Sequence, residues 1–143
     1  MNEIKTKFDE ELEQPEEKQT EARPRPFLVW KVGDKEYRLK LTTAVESKLE
    51  SQFEMPLLNA VLDDGIPKQE VIVSIIQGAM LKFNHGMTSL DVTELLDDYK
   101  DEGHTSMDIL KEVIYPLLYD AGFFTKAMLD SMLETLNEVD TQL

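Results

Sequence analysis

Residues 71–83 read VIVSIIQGAMLKF. Val71, Ile72, Ile75, Ile76, Ala79, Met80 and Phe83 recur at helical spacing and make a broad apolar stripe. Val73 and Leu81 lie off that stripe, which leaves only a thin polar face. A helix apolar nearly all round is buried on several sides, so this segment reads as the central helix of the fold. Gly78 inside it costs about 1 kcal/mol relative to alanine, and we read it as the mark of a close crossing with another helix. The segment carries no catalytic chemistry.

Upstream, residues 27–32 (FLVWKV) are rich in β-formers, Gly33-Asp34-Lys35 reads as a turn, and residues 36–41 (EYRLKL) alternate with period two. This predicts a β-hairpin. Two strands alone are marginal in water, so the apolar face must lie on helices or extend a neighbour's sheet by edge pairing. Thr43 with Glu46 matches a capping box ahead of Val45, Leu49 and Phe53. Pro56 suits the first position of a short helix over Leu57 to Leu62, stopped by Asp63-Asp64-Gly65.

Pro67 opens the central helix and Asn84-His85-Gly86 closes it. Thr88 with Asp91 is a weaker cap for a helix carrying Leu90, Val92, Leu95, Leu96 and Tyr99. Thr105 with Asp108 starts another, in which Pro116 should kink or split the turn pattern before Gly122 ends it. A last helix, from about Thr125 to Val139, places Met128, Met132, Leu133 and Leu136 on one side. The fold class is therefore α+β, mainly α: an N-terminal two-stranded hairpin followed by about six helices packed around a central one.

At 143 residues the chain fits one domain, which we place at residues 27–143. Residues 1–26 hold few large apolar side chains among many charges, and we expect a disordered acidic arm there. Ile4, Phe8 and Leu12 share a helical spacing within it, which would allow a helix formed on a partner. The 29 acidic residues against 15 basic ones give a net charge of −14, which repels phosphate backbones and anionic lipid. Nucleic acid and membrane surfaces are thus poor partner expectations. The absence of cysteine removes disulfides, thiolate zinc sites and cysteine nucleophiles. No signal-peptide h-region or span-length apolar run is present, so an intracellular, soluble protein is expected.

Residues 98–109 (DYKDEGHTSMDI) place Glu102-Gly103 at the fifth and sixth positions of a calcium loop. Lys100 and Ile109 stand where that loop needs oxygen ligands, so an acidic turn between helices is the better reading. His85 and His104 each sit beside a glycine without a second ligand at helical spacing, and read as surface loop residues. No nucleophile elbow or phosphate loop appears, and we expect neither an enzyme nor a cofactor or metal. What remains is surface for binding. Seven methionines suit adaptable surfaces, though core filling is their commoner use. The partner-binding candidates are Met128, Met132, Leu133 and Leu136 on the last helix.

Residues 33–58 (GDKEYRLKLTTAVESKLESQFEMPLL) carry a resemblance. Gly33, Tyr37, Leu39, Leu41, Thr42, Thr43, Leu49, Glu50, Pro56, Leu57 and Leu58 resemble the pattern of tail assembly chaperones of siphophages of Gram-positive bacteria, a group similar to a gene-transfer-agent tail protein. Asp120-Ala121-Gly122-Phe123 suits the family's later helix end. The resemblance implies a non-enzymatic chaperone in the host cytoplasm, absent from the finished virion. It would bind the tape measure protein, with the tail tube protein as a second candidate partner, and with self-association or many copies per client. A longer frameshifted product often accompanies the short one in that family. Two rivals stand beside it: an acidic inhibitor that masks a basic surface of a nucleic-acid-binding partner, and a structural tail component that stays in the particle.

Overall fold

The computed structural model describes residues 26–63 and 65–142, with side-chain surroundings up to Glu138. The expected arm at residues 1–26 lies outside this range except for Pro26, as does Asp64 of the expected helix stop. Two antiparallel strands, β1 (Leu28–Val32) and β2 (Lys35–Leu39), pair with Val32 opposite Lys35 and Leu28 opposite Leu39. The connecting loop is therefore only Gly33-Asp34. Gly33 has φ +61° and Asp34 a negative φ, the signs of a type II′ turn, whose twist matches that of the strands. The tight turn draws Lys35 into the ladder, and the register closes at Leu28 opposite Leu39, short of the expected Phe27 and Leu41.

Six helices follow: α1 (Thr43–Phe53), α2 (Leu57–Leu62), α3 (Gln69–Met80), α4 (Ser89–Asp101), α5 (residues 106–120) and α6 (Lys126–Gln142). The first cap is Thr42, not Thr43: its hydroxyl accepts from the Val45 N–H at 3.3 Å. Pro56 likewise stands one position ahead of α2, not at its first residue, and the free Leu57 N–H donates to Glu50 Oε2 at 2.7 Å. That side chain reaches over from α1 and supplies the acceptor that proline cannot place. Thr88 with Asp91 and Thr105 with Asp108 both close full reciprocal capping boxes.

The segment 71–83 behaves as its stripe predicts. Ile72, Ile75, Ile76, Ala79 and Met80 are buried, and α3 packs on β2, α1, α4 and the middle of α5. It ends earlier than expected, at Met80, where the Phe83 and Asn84 N–H groups turn back to the Met80 carbonyl. Gly78 does mark a crossing: a Cβ there would stand 2.7 Å from Val45 Cγ1 on α1.

Helix α5 runs as Ser106–Ile109, a π turn over Leu110–Ile114, and Tyr115–Asp120. In the π turn the Tyr115 N–H donates to the Leu110 carbonyl, five residues back. The cause is Pro116, which has no N–H and crowds the preceding turn. The helix closes on a Schellman pair, Phe123 N–H to Leu118 and Gly122 N–H to Tyr119, with Gly122 at φ +91°. Among the described residues no helix is long and apolar enough to cross a membrane.

Candidate functional site

Two surfaces stand out. The first is α6, entered through Thr125, whose hydroxyl accepts from the Met128 N–H at 3.2 Å. Its innermost side chain is Leu129, which is buried, while Met132, Leu133 and Leu136 are half-buried against the core. Helical spacing explains the set, because 129, 132, 133 and 136 share one face. Met128 belongs at the edge of that face and is half-exposed, so it does not join the other three as expected. The stripe covers the Tyr115–Asp120 portion of α5, and Lys111 Nζ donates to Asn137 Oδ1 at 3.2 Å across the same seam. Much of the face proposed for partners therefore serves the chain's own core, and the outward rim is Met128.

Of the second surface the sequence offered only the hairpin's capacity for edge pairing, not the helical wall that faces it. Beside the unpaired edge of β1 lies an open cleft of about 680 Å³, with Val29, Lys31 and Gly33 along the strand. Tyr99, Glu102 and His104 at the end of α4, with Glu112 on α5, make its other side. His104 is not a bare loop residue. Its ring stacks on Tyr99 with centroids 3.9 Å apart and 11° between planes, and Trp30 meets Tyr99 edge-on at 5.5 Å. The Tyr99 hydroxyl donates to Glu112 Oε2, and the Gly33 N–H donates to Glu102 Oε1. Burial first, and then the bond to Glu112, push the Tyr99 pKa upward, so the phenol stays protonated and holds its donor role.

The acids of the expected turn thus have structural partners. Asp108 closes the Thr105 cap and lies 3.9 Å from His104 Nδ1 and 3.8 Å from Lys111 Nζ. Glu102 holds the hairpin turn to α4, 69 residues away in sequence. Among the described residues no group of three His, Asp or Glu side chains is placed to hold a metal ion. Trp30 Nε1 is buried without a hydrogen-bond partner among them, a cost of about 1–3 kcal/mol that only close packing offsets.

An α+β domain with a two-stranded hairpin laid on six helices is what the chain builds. It belongs to DUF6096, a family of unknown function, whose sequence model matches residues 27–141. Neither a curated protein nor a solved structure matches the chain.

Proposed function

We infer that the protein is a tail assembly chaperone: a non-enzymatic binder that keeps a tape measure protein soluble in the host cytoplasm until the tail tube forms around it. The observation that carries this reading is the resemblance over residues 33–58, which in the fold is one continuous unit. The type II′ turn at Gly33 leads through β2 to the Thr42 cap, and Glu50 of α1 then caps α2. The acid excess would keep a chaperone–client complex soluble and unbound copies apart. Helix α6 supplies apolar surface at its rim, suited to an amphipathic client helix.

Co-expression with a siphophage tape measure protein tests the reading. A soluble complex holding several copies of this chain per client is expected, and Met128→Glu should lower the yield without altering the fold. A client that stays insoluble overturns the reading. So does recovery from infected cells of a nucleic-acid-binding enzyme in place of the client, which would favour an acidic inhibitor.

A further inference from the structure

We propose that the free edge of β1 is a strand-addition site for an extended, basic peptide segment. The inference stands on the hairpin register and the cleft and does not depend on the chaperone reading. A two-residue loop makes Val32 and Lys35 a mutually bonded pair, so Leu28, Trp30 and Val32 direct their backbone groups toward β2. Val29, Lys31 and Gly33 then direct theirs outward. Of these, the Gly33 N–H is taken by Glu102, while the N–H and C=O of Val29 and Lys31 meet no partner among the described residues. Just beyond β2, the Lys40 N–H donates to the Ala79 carbonyl of α3 at 2.8 Å. The second edge is tied to α3 at that one end, and the edge of β1 lies open along a cleft. An unpaired row of this kind is a template for another strand.

Charge selects the occupant. Glu102 and Glu112 outnumber Lys31 in the cleft lining, and each carboxylate keeps acceptor capacity beyond the one bond it takes from Gly33 or Tyr99. Exposed Val29 offers an apolar contact on the outer face. A strand with lysine or arginine on one face and apolar residues on the other matches both. A second copy would instead bring two Glu102–Glu112 walls together on chains of net charge −14. Residues 1–22, where Glu and Asp outnumber Lys, carry the same sign of charge as the walls.

The test uses the full chain with a short synthetic peptide alternating lysine and valine, followed by fluorescence of Trp30, the chain's single tryptophan, and by amide hydrogen exchange. Binding should slow exchange at the Val29 and Lys31 amides. N-methylating the peptide at its pairing positions should weaken binding about three- to tenfold per lost bond. Val29→Pro removes one outward donor and spares the β1–β2 ladder, and should weaken binding similarly. Glu112→Gln, which still accepts from Tyr99, should weaken the lysine peptide and leave a neutral serine–valine peptide unaffected. Equal binding of a glutamate–valine peptide overturns the proposal, as does equal binding of the N-methylated peptide. Protection of Val29 and Lys31 that grows with protein concentration, without peptide, assigns the edge to a second copy. Protection at every concentration assigns it to the chain itself. Either result also overturns the proposal.

Discussion

At Gly78 two opposing effects have known sizes. Alanine would relieve the helix of about 1 kcal/mol in backbone cost. Its Cβ, however, would stand 2.7 Å from Val45 Cγ1, with both Leu49 methyls within 4 Å behind it. Val45 is β-branched on a helix, where one rotamer dominates, so it cannot swing away cheaply. Overpacking of this kind costs about 1–3 kcal/mol and should win. Gly78→Ala is expected to lower stability by about 1 kcal/mol net, whereas in a Val45→Ala background the same change should become neutral or stabilising. Urea titration of the double-mutant cycle measures that coupling, and strict additivity would mean that the crossing is not tight. This crossing was legible because a glycine set inside a strong apolar helical period usually has a packing reason. The meeting of Trp30 with Tyr99 was not, because the two are 69 residues apart and touch only when the hairpin lands on α4.

At the level of the element, α6 shows where a stripe drawn from sequence slips. Met128, Met132 and Leu136 are spaced by four, and a fixed step of four drifts around a helix of 3.6 residues per turn. Packing against Tyr115–Asp120 settles the register on Leu129, with Met132, Leu133 and Leu136 beside it. Leu129→Ala is therefore expected to cost about 2–4 kcal/mol. Met128→Ala, at a half-exposed position, should stay within about 0.5 kcal/mol. Chemical denaturation of the two variants distinguishes the registers, and equal losses would restore the stripe through Met128. Elements with strong local signals were placed well: the central helix, the Thr-x-x-Asp caps and the proline-disturbed α5 all rest on interactions within a few residues. Bounds slipped where a distant group decides them, as Glu50 does at the start of α2 and the hairpin register does at Lys35.

Across the whole molecule, the charge imbalance makes pH and salt act in ways a balanced protein would not show. At neutral pH the net −14 opposes compaction, while ion pairs such as exposed Lys126–Asp130 and half-buried Lys111–Asp108 are each worth about 0–1 kcal/mol. Screening should therefore relieve more repulsion than it removes attraction, and stability should rise from about 0.05 M to about 0.5 M salt as the Debye length shrinks. Protonation acts in the same direction at first. Burial, and then Glu50 beside it, raise the Glu46 pKa, so its ionised form is disfavoured in the folded state. The stability linked to Glu46 is full below the ordinary glutamate pKa and is lost as pH rises through the raised value. Asp91 has the opposite sign: the bonds it receives from Thr88 lower its pKa, so its contribution holds above the ordinary aspartate value and fails as pH falls through the lowered one. Both contributions are full between the ordinary aspartate and glutamate values, so the expected optimum lies there, well on the acidic side of neutral. Thermal midpoints taken at low protein concentration across about pH 3 to 9 should peak at about pH 4–5 and fall on both sides. High salt should flatten the neutral limb, where repulsion acts, and leave the acid limb, where the caps fail, largely in place. A midpoint that climbs steadily toward alkaline pH, or falls with salt, would mean that specific ion pairs outweigh the net charge.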